Sequence, residues 1–214
     1  MAYFITFEGI EGCGKSTQAE ILSRALAAET GCQVVATREP GGCPIANKIR
    51  AILLDADNSA LVPLAELLLY AAARAQHVAE VIRPALAEGK IVLCDRFTDA
   101  TTAYQGHGRA LDLELIENLA QLATGGLTPD LTILLDCPEE IGIKRAMARI
   151  NAASGAREER FEQESLRFHQ AVRKGYLKLA AENPARFIVI DGTRGIQETA
   201  EAIRNAVFLR IPQG

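Results

Sequence analysis

The sequence predicts an α/β fold in which helices flank one open parallel sheet. Five short apolar runs lack the alternation of polar and apolar residues, which is typical of strands covered on both faces. These runs are Tyr3–Phe7, Gln33–Thr37, Ile91–Cys94, Leu131–Leu135 and Phe187–Ile190. Segments of helical period separate them, and this alternation favours parallel strands joined by crossovers.

The helical segments follow the strands in order along the chain. They are expected at about Ser16–Glu29, Pro63–Glu88, Leu113–Thr124, Pro138–Ile150, Glu158–Glu182 and Ile196–Val207. The region Leu61–Ala79 is apolar nearly all round, so it must be buried on more than one side. Two interpretations stay open: it is the central helix against the sheet, or one face packs on a second copy of the chain in a homodimer.

Length and composition fit a single domain over residues 1–214. Hydrophobic residues make up 49% of the chain, and the net charge of −4 argues against a broad basic face for nucleic acid. The five cysteines, without a C-x-x-C pair, indicate free thiols in a reducing compartment. No apolar stretch reaches the ~18 residues of a spanning helix, and the N-terminus has no signal-peptide pattern, so we expect a cytoplasmic protein with no membrane partner.

A glycine-rich segment, Gly9–Ser16, fits the phosphate-binding pattern G-x-x-x-x-G-K-[ST]. Its residues are Gly9, Ile10, Glu11, Gly12, Cys13, Gly14, Lys15 and Ser16. It lies between a predicted strand and a predicted helix, where backbone N–H groups and the helix N-terminus surround an anion. The pattern predicts ATP binding, with Lys15 at the β- and γ-phosphates and the Ser16 hydroxyl on Mg²⁺. The alternative is a glycine-rich turn without a ligand.

Asp95 and Arg96 follow the third predicted strand, at the edge of a parallel sheet where ligands bind. We expect Asp95 to complete the Mg²⁺ shell and Arg96 to bind a second phosphate; a surface ion pair is the alternative. The segment Asn47–Arg50 lacks the Asn-Lys-x-Asp pattern of switch GTPases. These observations favour a kinase.

Several side chains suit a nucleotide acceptor. Arg38 and Arg96 each follow a strand and can bind an acceptor phosphate in bidentate fashion. Tyr70 offers a ring face for a pyrimidine, Arg74 lies one helical turn later for a base carbonyl, and the Thr101 hydroxyl could meet the N3 edge. An ordinary core aromatic is the alternative for Tyr70. A phosphate monoester is already deprotonated near neutral pH, because its second pKa is about 6, so an acceptor of this kind needs no general base.

Five motifs of this chain, taken in order along the sequence, resemble those of the thymidylate kinase family, whose members make dTDP from dTMP. They are Phe7-Glu8-Gly9, Thr37-Arg38-Glu39-Pro40-Gly41-Gly42, Leu69-Tyr70-Ala71-Ala72-Ala73-Arg74, Asp95-Arg96-Phe97 with Ala103-Tyr104-Gln105-Gly106, and Glu159-Arg160-Phe161-Glu162-Gln163-Glu164. The resemblance covers essentially the whole chain. It implies a P-loop NTPase-type fold like that of nucleoside monophosphate kinases, and transfer of the γ-phosphoryl group of ATP to dTMP with Mg²⁺.

The resemblance also implies roles around the sugar. Tyr104 is expected against the 2′ position, where it would disfavour ribose, and Glu11 is expected to accept from the 3′-OH. Gln105 belongs to the same acceptor-binding group. A plain core aromatic remains the alternative for Tyr104.

Four arginines, at 145, 149, 157 and 160, flank the small polar segment Asn151–Ala156. They predict a mobile lid at about 145–162 that closes over ATP, with a solvated basic helix face as the alternative. Because Gly12 stands where some relatives carry a P-loop arginine, the resemblance implies the lid-arginine type, with Arg149 and Arg160 as the best matches. Lys15, Asp95, Arg96, Arg149 and Arg160 are therefore the predicted catalytic residues.

Two departures from the family pattern and two rival functions stay open. Ala100 stands where a serine is common, and His107 replaces a glycine in a turn that is expected to need positive φ. A kinase for another nucleoside monophosphate or for a deoxynucleoside is one rival. A P-loop sensor that binds nucleotide without chemistry is the other.

Overall fold

The computed structural model describes residues 1–152 and 160–212. Its sheet contains five parallel strands in the order β2-β3-β1-β4-β5. The strands are β1 Tyr3–Glu8, β2 Val34–Arg38, β3 Ile91–Asp95, β4 Leu131–Asp136 and β5 Phe187–Asp191. The predicted open parallel α/β sheet is confirmed, and each strand begins and ends within one residue of its predicted bound.

Helices connect successive strands. Along the described part of the chain they are α1 Lys15–Thr30, α2 Pro44–Leu54, α3 Pro63–His77, α4 Arg83–Ala87, α5 Thr98–Thr101, α6 Leu113–Thr124, α7 Glu139–Ala152, α8 Leu166–Glu182 and α9 Ile196–Phe208. Two stretches with wider, π-type turns, Val78–Ile82 and Thr102–Gly108, directly follow α3 and α5. The segment predicted as one helix over Pro63–Glu88 is thus helical, but it changes its hydrogen-bonding pattern midway. None of the described helices has the length and apolarity needed to cross a membrane.

Helix α2 is missing from the sequence prediction. Its signals are Pro44 in the first turn and the apolar residues Ile45, Ile49 and Ile52 at helical spacing. Directly before it, the motif Thr37–Gly42 is rich in turn-forming residues.

Helix α8 begins at Leu166, so the predicted start at Glu158 is wrong. The Ser165 side chain accepts a hydrogen bond from the backbone N–H of Phe168 at 3.2 Å and caps the first turn. Residues 158 and 159 lie outside the described part of the chain. Such a cap marks a helix start more sharply than apolar periodicity does, since periodicity continues into preceding turns.

His107 does not have the positive φ expected for it. Among the described non-glycine residues, positive φ occurs at Arg96 (74°) and Ala110 (58°). His107 instead lies in the π-type stretch, where its ring packs on α8 at Gly175: a Cβ there would come within 2.6 Å of the ring.

The sheet is buried on both faces. Ile5 and Leu93 contribute to the larger core beneath α1 and α8, whereas Phe4 and Val92 point to a second cluster beneath the α3–α4 segment. Neighbouring residues on β1 and β3 therefore enter different cores, which is why these two strands read as continuous apolar runs. The register also pairs Phe7 and Arg38 with Asp95, so the ends of β1, β2 and β3 emerge side by side.

The loop after β1 packs on helix α7 without room for side chains. A Cβ at Gly12 would lie 2.0 Å from the carbonyl oxygen of Gly142, and one at Gly142 would lie 2.5 Å from the carbonyl oxygen of Glu11. Gly12 also has a positive φ of 69°. The two glycines let α7 and the loop touch through their backbones.

Replacing Gly142 with alanine should therefore destabilise the protein. Alanine normally stabilises a helix interior, but here the methyl group overlaps the loop, and overpacking of this kind costs about 1–3 kcal/mol. Urea unfolding of Gly142→Ala should show a lower free energy of unfolding. Gly195→Ala is the matched control, because a Cβ there meets nothing within 4 Å. A Gly142→Ala protein at least as stable as the wild type would contradict the close contact.

Candidate functional site

A cleft opens where β1, β2 and β3 end. Its lining includes most of the predicted site side chains. Those from the loop and strand ends are Glu11, Gly12, Lys15, Ser16, Arg38, Asp95 and Arg96, and those from helical segments are Tyr70, Arg74, Thr101, Tyr104, Gln105 and Arg149. The register of the parallel strands explains this convergence, since their carboxyl ends lie on one edge.

The Gly9–Ser16 loop holds the Lys15 ammonium close to its own backbone. The Lys15 Nζ donates to the carbonyl oxygens of Gly9 at 3.1 Å and Ile10 at 2.7 Å, and it lies 3.5 Å from the Cys13 Sγ. Helix α1 begins at Lys15, directly after Gly14. The lysine charge and the N-terminus of α1 thus face the same loop, which makes it suited to an anion.

Ser16 and Asp95 meet beside this loop. The Ser16 hydroxyl donates to Asp95 Oδ2 at 2.6 Å. A hydroxyl and a carboxylate are hard oxygen donors, the type that Mg²⁺ prefers. No group of three His, Cys, Asp or Glu side chains among residues 1–152 and 160–212 is arranged to hold a metal by itself.

Arg96 is held in the cleft by three side-chain partners. Its Nη1 donates to the Tyr176 hydroxyl at 3.0 Å, and its Nη2 donates to Glu11 Oε1 at 3.1 Å and to the Tyr104 hydroxyl at 3.0 Å. Burial opposes the charge, but the electrostatic effects of Tyr104, Tyr176 and Glu11 raise the pKa of Arg96 above its ordinary value. The guanidinium is therefore fixed and stays cationic.

Glu11 is a buried carboxylate among cations. Burial alone would raise its pKa, but His169, Arg96 and Lys15 lower it to about 2. The Tyr104 hydroxyl donates to Glu11 Oε1 at 2.5 Å. His169 Nδ1 lies 3.4 Å from Glu11 Oε2, but no described residue is aligned to hydrogen-bond either ring nitrogen. Glu11 is thus ionised near neutral pH.

On the other side of the cleft, Arg74 is anchored on three sides. Its Nε donates to Glu39 Oε2 at 2.7 Å, and its Nη2 donates to the Phe97 carbonyl and to Thr101 Oγ1, each at 3.0 Å. The Tyr70 ring lines the cleft nearby. An aromatic ring, a fixed guanidinium and a hydroxyl together suit a planar, hydrogen-bonding ring such as a pyrimidine.

Arg160 is not at the cleft in this structure. Its side chain is 8% exposed, its Nε donates to the Leu53 carbonyl at 2.6 Å, and its Nη2 lies 2.6 Å from Glu66 Oε2, off the axis of a hydrogen bond. Gln105, which lines the cleft, also contacts this carboxylate, since its Nε2 donates to Glu66 Oε1 at 2.7 Å. Arg109 completes the group around Glu66 at 3.3 Å. These contacts anchor Arg160 away from the cleft in this structure. The sequence, in contrast, predicts that this arginine reaches the phosphates.

Arg149 and Arg38 do reach the cleft. The Arg149 side chain is 67% exposed and lies 3.7 Å from the Glu162 carboxylate. Arg38, at the end of β2, is exposed on the opposite side. Arg157 lies outside the described residues.

Sequence reasoning missed several side chains that build the site. Phe161 lines the cleft with its ring 5.4 Å from that of Tyr104 and 6.4 Å from that of Tyr70. It stands in the motif around Arg160, which offered a signal for its place. Glu66 and Tyr176 had none, because their partners lie 39 to 168 positions away along the chain.

Comparisons with known proteins agree on one family. The family model described as thymidylate kinase matches residues 7–203. The thymidylate kinase of Geotalea daltonii is 67% identical over 212 residues, covering 99% of both chains, and that of Geotalea uraniireducens is 64% identical over 214 residues, covering 100% of both. The crystal structure of thymidylate kinase from Ehrlichia chaffeensis is 33% identical, with a TM-score of 0.78, and covers 97% of this chain and 98% of that one.

These matches span the whole fold and include the segments that form the cleft. They confirm the resemblance drawn from the motifs and the P-loop fold of nucleoside monophosphate kinase type. The chain belongs to the thymidylate kinase family.

Proposed function

We propose that this protein transfers the γ-phosphoryl group of ATP to dTMP, giving dTDP and ADP. The observation that carries the proposal is the Arg96 network: a half-buried, fixed cation lies beside the Gly9–Ser16 loop, in one cleft with Tyr70 and the anchored Arg74. One anion on the loop and a second on Arg96 would bring donor and acceptor together.

On the donor side, the loop backbone and Lys15 would bind the phosphates of ATP. Lys15 would exchange its hydrogen bonds to Gly9 and Ile10 for phosphate oxygens. Ser16 and Asp95 fit Mg²⁺, which in kinases neutralises charge on the donor phosphates. Two protein oxygens suit this ion, since it usually keeps water and phosphate ligands as well.

On the acceptor side, Arg38 and Arg96 would bind the phosphate of dTMP. Tyr70 would stack on the thymine ring, while Arg74 and Thr101, already hydrogen-bonded to one another, would present donors to its edge. This part of the proposal extends the roles predicted from the sequence.

Around the sugar, the short hydrogen bond between Tyr104 and Glu11 would leave little space at the 2′ position. Glu11 would accept from the 3′-OH, as an ionised carboxylate can. Gln105 would complete the lining of this region, with its side chain held by the hydrogen bond to Glu66.

Catalysis would rest on positioning and charge neutralisation. The acceptor oxygen is deprotonated without help, since the second pKa of a phosphate monoester is about 6. The cations that contact phosphate, Lys15, Arg38 and Arg96, would hold the two mutually repelling phosphate groups in line.

We propose that residues 145–162 act as a mobile lid over ATP and that Arg149 brings its charge to the γ-phosphate. Its high exposure and its place at the cleft support this role. Arg160, buried against Glu66, would hold the returning end of the lid in the described conformation and would have to leave that partner to reach a phosphate.

The substrate assignment is tested with a panel of acceptors. Coupled ADP-release assays with dTMP, dUMP, dCMP, dAMP, dGMP and thymidine should give the highest kcat/KM on dTMP or dUMP. Lys15→Ala should lower turnover on the order of 10²-fold or more, because it removes a cation from the transferred phosphate. Best activity on a purine monophosphate or on thymidine would favour the rival kinases, and nucleotide binding without turnover would favour the sensor.

The two lid arginines should behave differently. Arg149→Ala should lower kcat on the order of 10²-fold at unchanged stability, because it removes an exposed charge at the cleft. Arg160→Ala should also lower the free energy of unfolding, by about 1–3 kcal/mol, since it removes one partner of the buried Glu66 carboxylate, which keeps Gln105 and Arg109. Arg24→Ala, on the exposed side of α1, is the control and should change neither.

Equal stability of Arg149→Ala and Arg160→Ala would contradict the buried pair. Wild-type turnover in both variants would remove the lid from the mechanism.

We also propose that the protein is a cytoplasmic homodimer that associates through α2 and α3. Leu64 and Leu68, one turn apart on α3, are each 49% exposed, and Ile45 and Ile52 of the adjoining α2 are similarly exposed. An apolar face of this kind fits a second copy of the chain. The five cysteines are unpaired, as is usual in a reducing compartment.

Leu68→Glu should convert the dimer to monomer in sedimentation velocity at micromolar concentration, because it places a charge in an apolar interface. Leu209→Glu is the matched control: Leu209 is 87% exposed beyond α9, and its substitution should leave the dimer intact. A wild-type protein that sediments only as monomer would refute this assembly.

A further inference from the structure

Tyr176 on α8 lies behind the cleft and is hydrogen-bonded to Arg96 of its lining. The side chain is 1% exposed and does not line the cleft. Its hydroxyl accepts from Arg96 Nη1 at 3.0 Å and donates to Glu8 Oε2 at 2.8 Å. The tyrosine thus links the guanidinium to the carboxyl group of Glu8 at the end of β1, where burial raises the pKa of Glu8 to about 8.

The same carboxyl group holds the backbone next to Arg96. Glu8 Oε1 accepts from the backbone N–H of Phe97 at 2.8 Å, and the Arg96 N–H donates to the Phe7 carbonyl at 2.9 Å. Arg96 itself has a φ of 74°, an unfavourable conformation for a residue with a side chain. Glu8 therefore supports both ends of the arginine: its strained backbone directly, and its guanidinium through Tyr176.

The guanidinium needs this second support. On its Nη2 side, Glu11 and Tyr104 attract it. Without a partner on Nη1, rotation about the side-chain bonds would let the charge turn fully toward the Glu11 carboxylate. Tyr176 opposes that movement with a neutral oxygen, which fixes direction without neutralising the cation.

We infer that Tyr176 is a positioning residue that aims Arg96 at the acceptor phosphate. The inference rests on the proposed function, because it takes Arg96 as the group that binds that phosphate. The competing view is that Tyr176 only fills the core, where its ring lies 6.2 Å from that of Tyr104. A phenylalanine at 176 would preserve that packing and lose only the hydroxyl.

The test compares the binding of dTMP and of thymidine by calorimetry, since the two differ only in the phosphate. In the wild type, dTMP should bind more tightly than thymidine. Tyr176→Phe should weaken dTMP binding by about 10-fold and thymidine binding by less than about 2-fold, because only the phosphate contact depends on the aim of Arg96. Tyr3→Phe, which removes an exposed hydroxyl 3.5 Å from the Arg210 carbonyl, is the control and should change neither.

A double-mutant cycle then asks whether the hydroxyl acts through Arg96. In an Arg96→Ala background, Tyr176→Phe should cause no further loss of dTMP affinity. Equal weakening of dTMP and thymidine, an unchanged preference for dTMP, or additive losses in the cycle would overturn the positioning role. If the wild type itself binds thymidine as well as dTMP, the acceptor assignment falls first and takes this inference with it.

Discussion

The repulsion between two phosphate esters is the constraint on which this structure depends. At 4 Å, two unit charges repel by about 1 kcal/mol in water and by about 4 kcal/mol at a protein surface, so a site that joins two such groups needs fixed cations between them. A parallel sheet supplies the place, because the ends of β1, β2 and β3 deliver Lys15, Arg38 and Arg96 to one edge. The fold is thus the means by which distant cations come to share one cleft.

Cations in a partly buried site must also meet a second requirement. Each needs hydrogen-bond partners that hold it in place while its positive charge stays available to a phosphate. Arg96 illustrates the solution: two of its partners are tyrosine hydroxyls and one is the carboxylate of Glu11. Arg74 is fixed by Glu39, whose other oxygen lies 3.0 Å from His77 Nδ1. The carboxylates of Glu11 and Glu39 therefore orient the two guanidinium groups. Such pairing costs less free energy than leaving the partly buried charges without partners.

How far the sequence predicts this arrangement depends on the range of the forces involved. The predicted strand bounds agree with the structure to within one residue. Strands buried on both faces require consecutive apolar residues, as in Ile91–Cys94, and this pattern is visible locally in the sequence. The loop Gly9–Ser16 was equally clear, since its backbone conformation requires glycine at fixed spacing. These features are local in the chain.

The direction of Arg160 was not predictable in this way. The residues around Arg160 in the sequence form a basic segment. The orientation of the Arg160 side chain is set instead by its contact with Glu66, which lies 94 positions earlier in the chain. The orientation of the Gln105 side chain is likewise set by its hydrogen bond to the Glu66 carboxylate. Side-chain direction in a buried ionic group is decided by tertiary partners, so sequence motifs identify the participants better than their orientation.

Helix α7 carries this reasoning one step further, because it touches three parts of the site. Its Gly142 packs against the phosphate-binding loop, and Arg145 donates to the carbonyl oxygens of Gly192 at 2.8 Å and Thr193 at 3.2 Å, in the turn after β5. Near its end, Arg149 lies at the cleft. A helix is stiff along its axis, so a backbone contact at residue 142 sets where residue 149 stands, two turns later. The backbone contact between the loop and Gly142 therefore positions the end of α7 that carries the exposed Arg149 side chain.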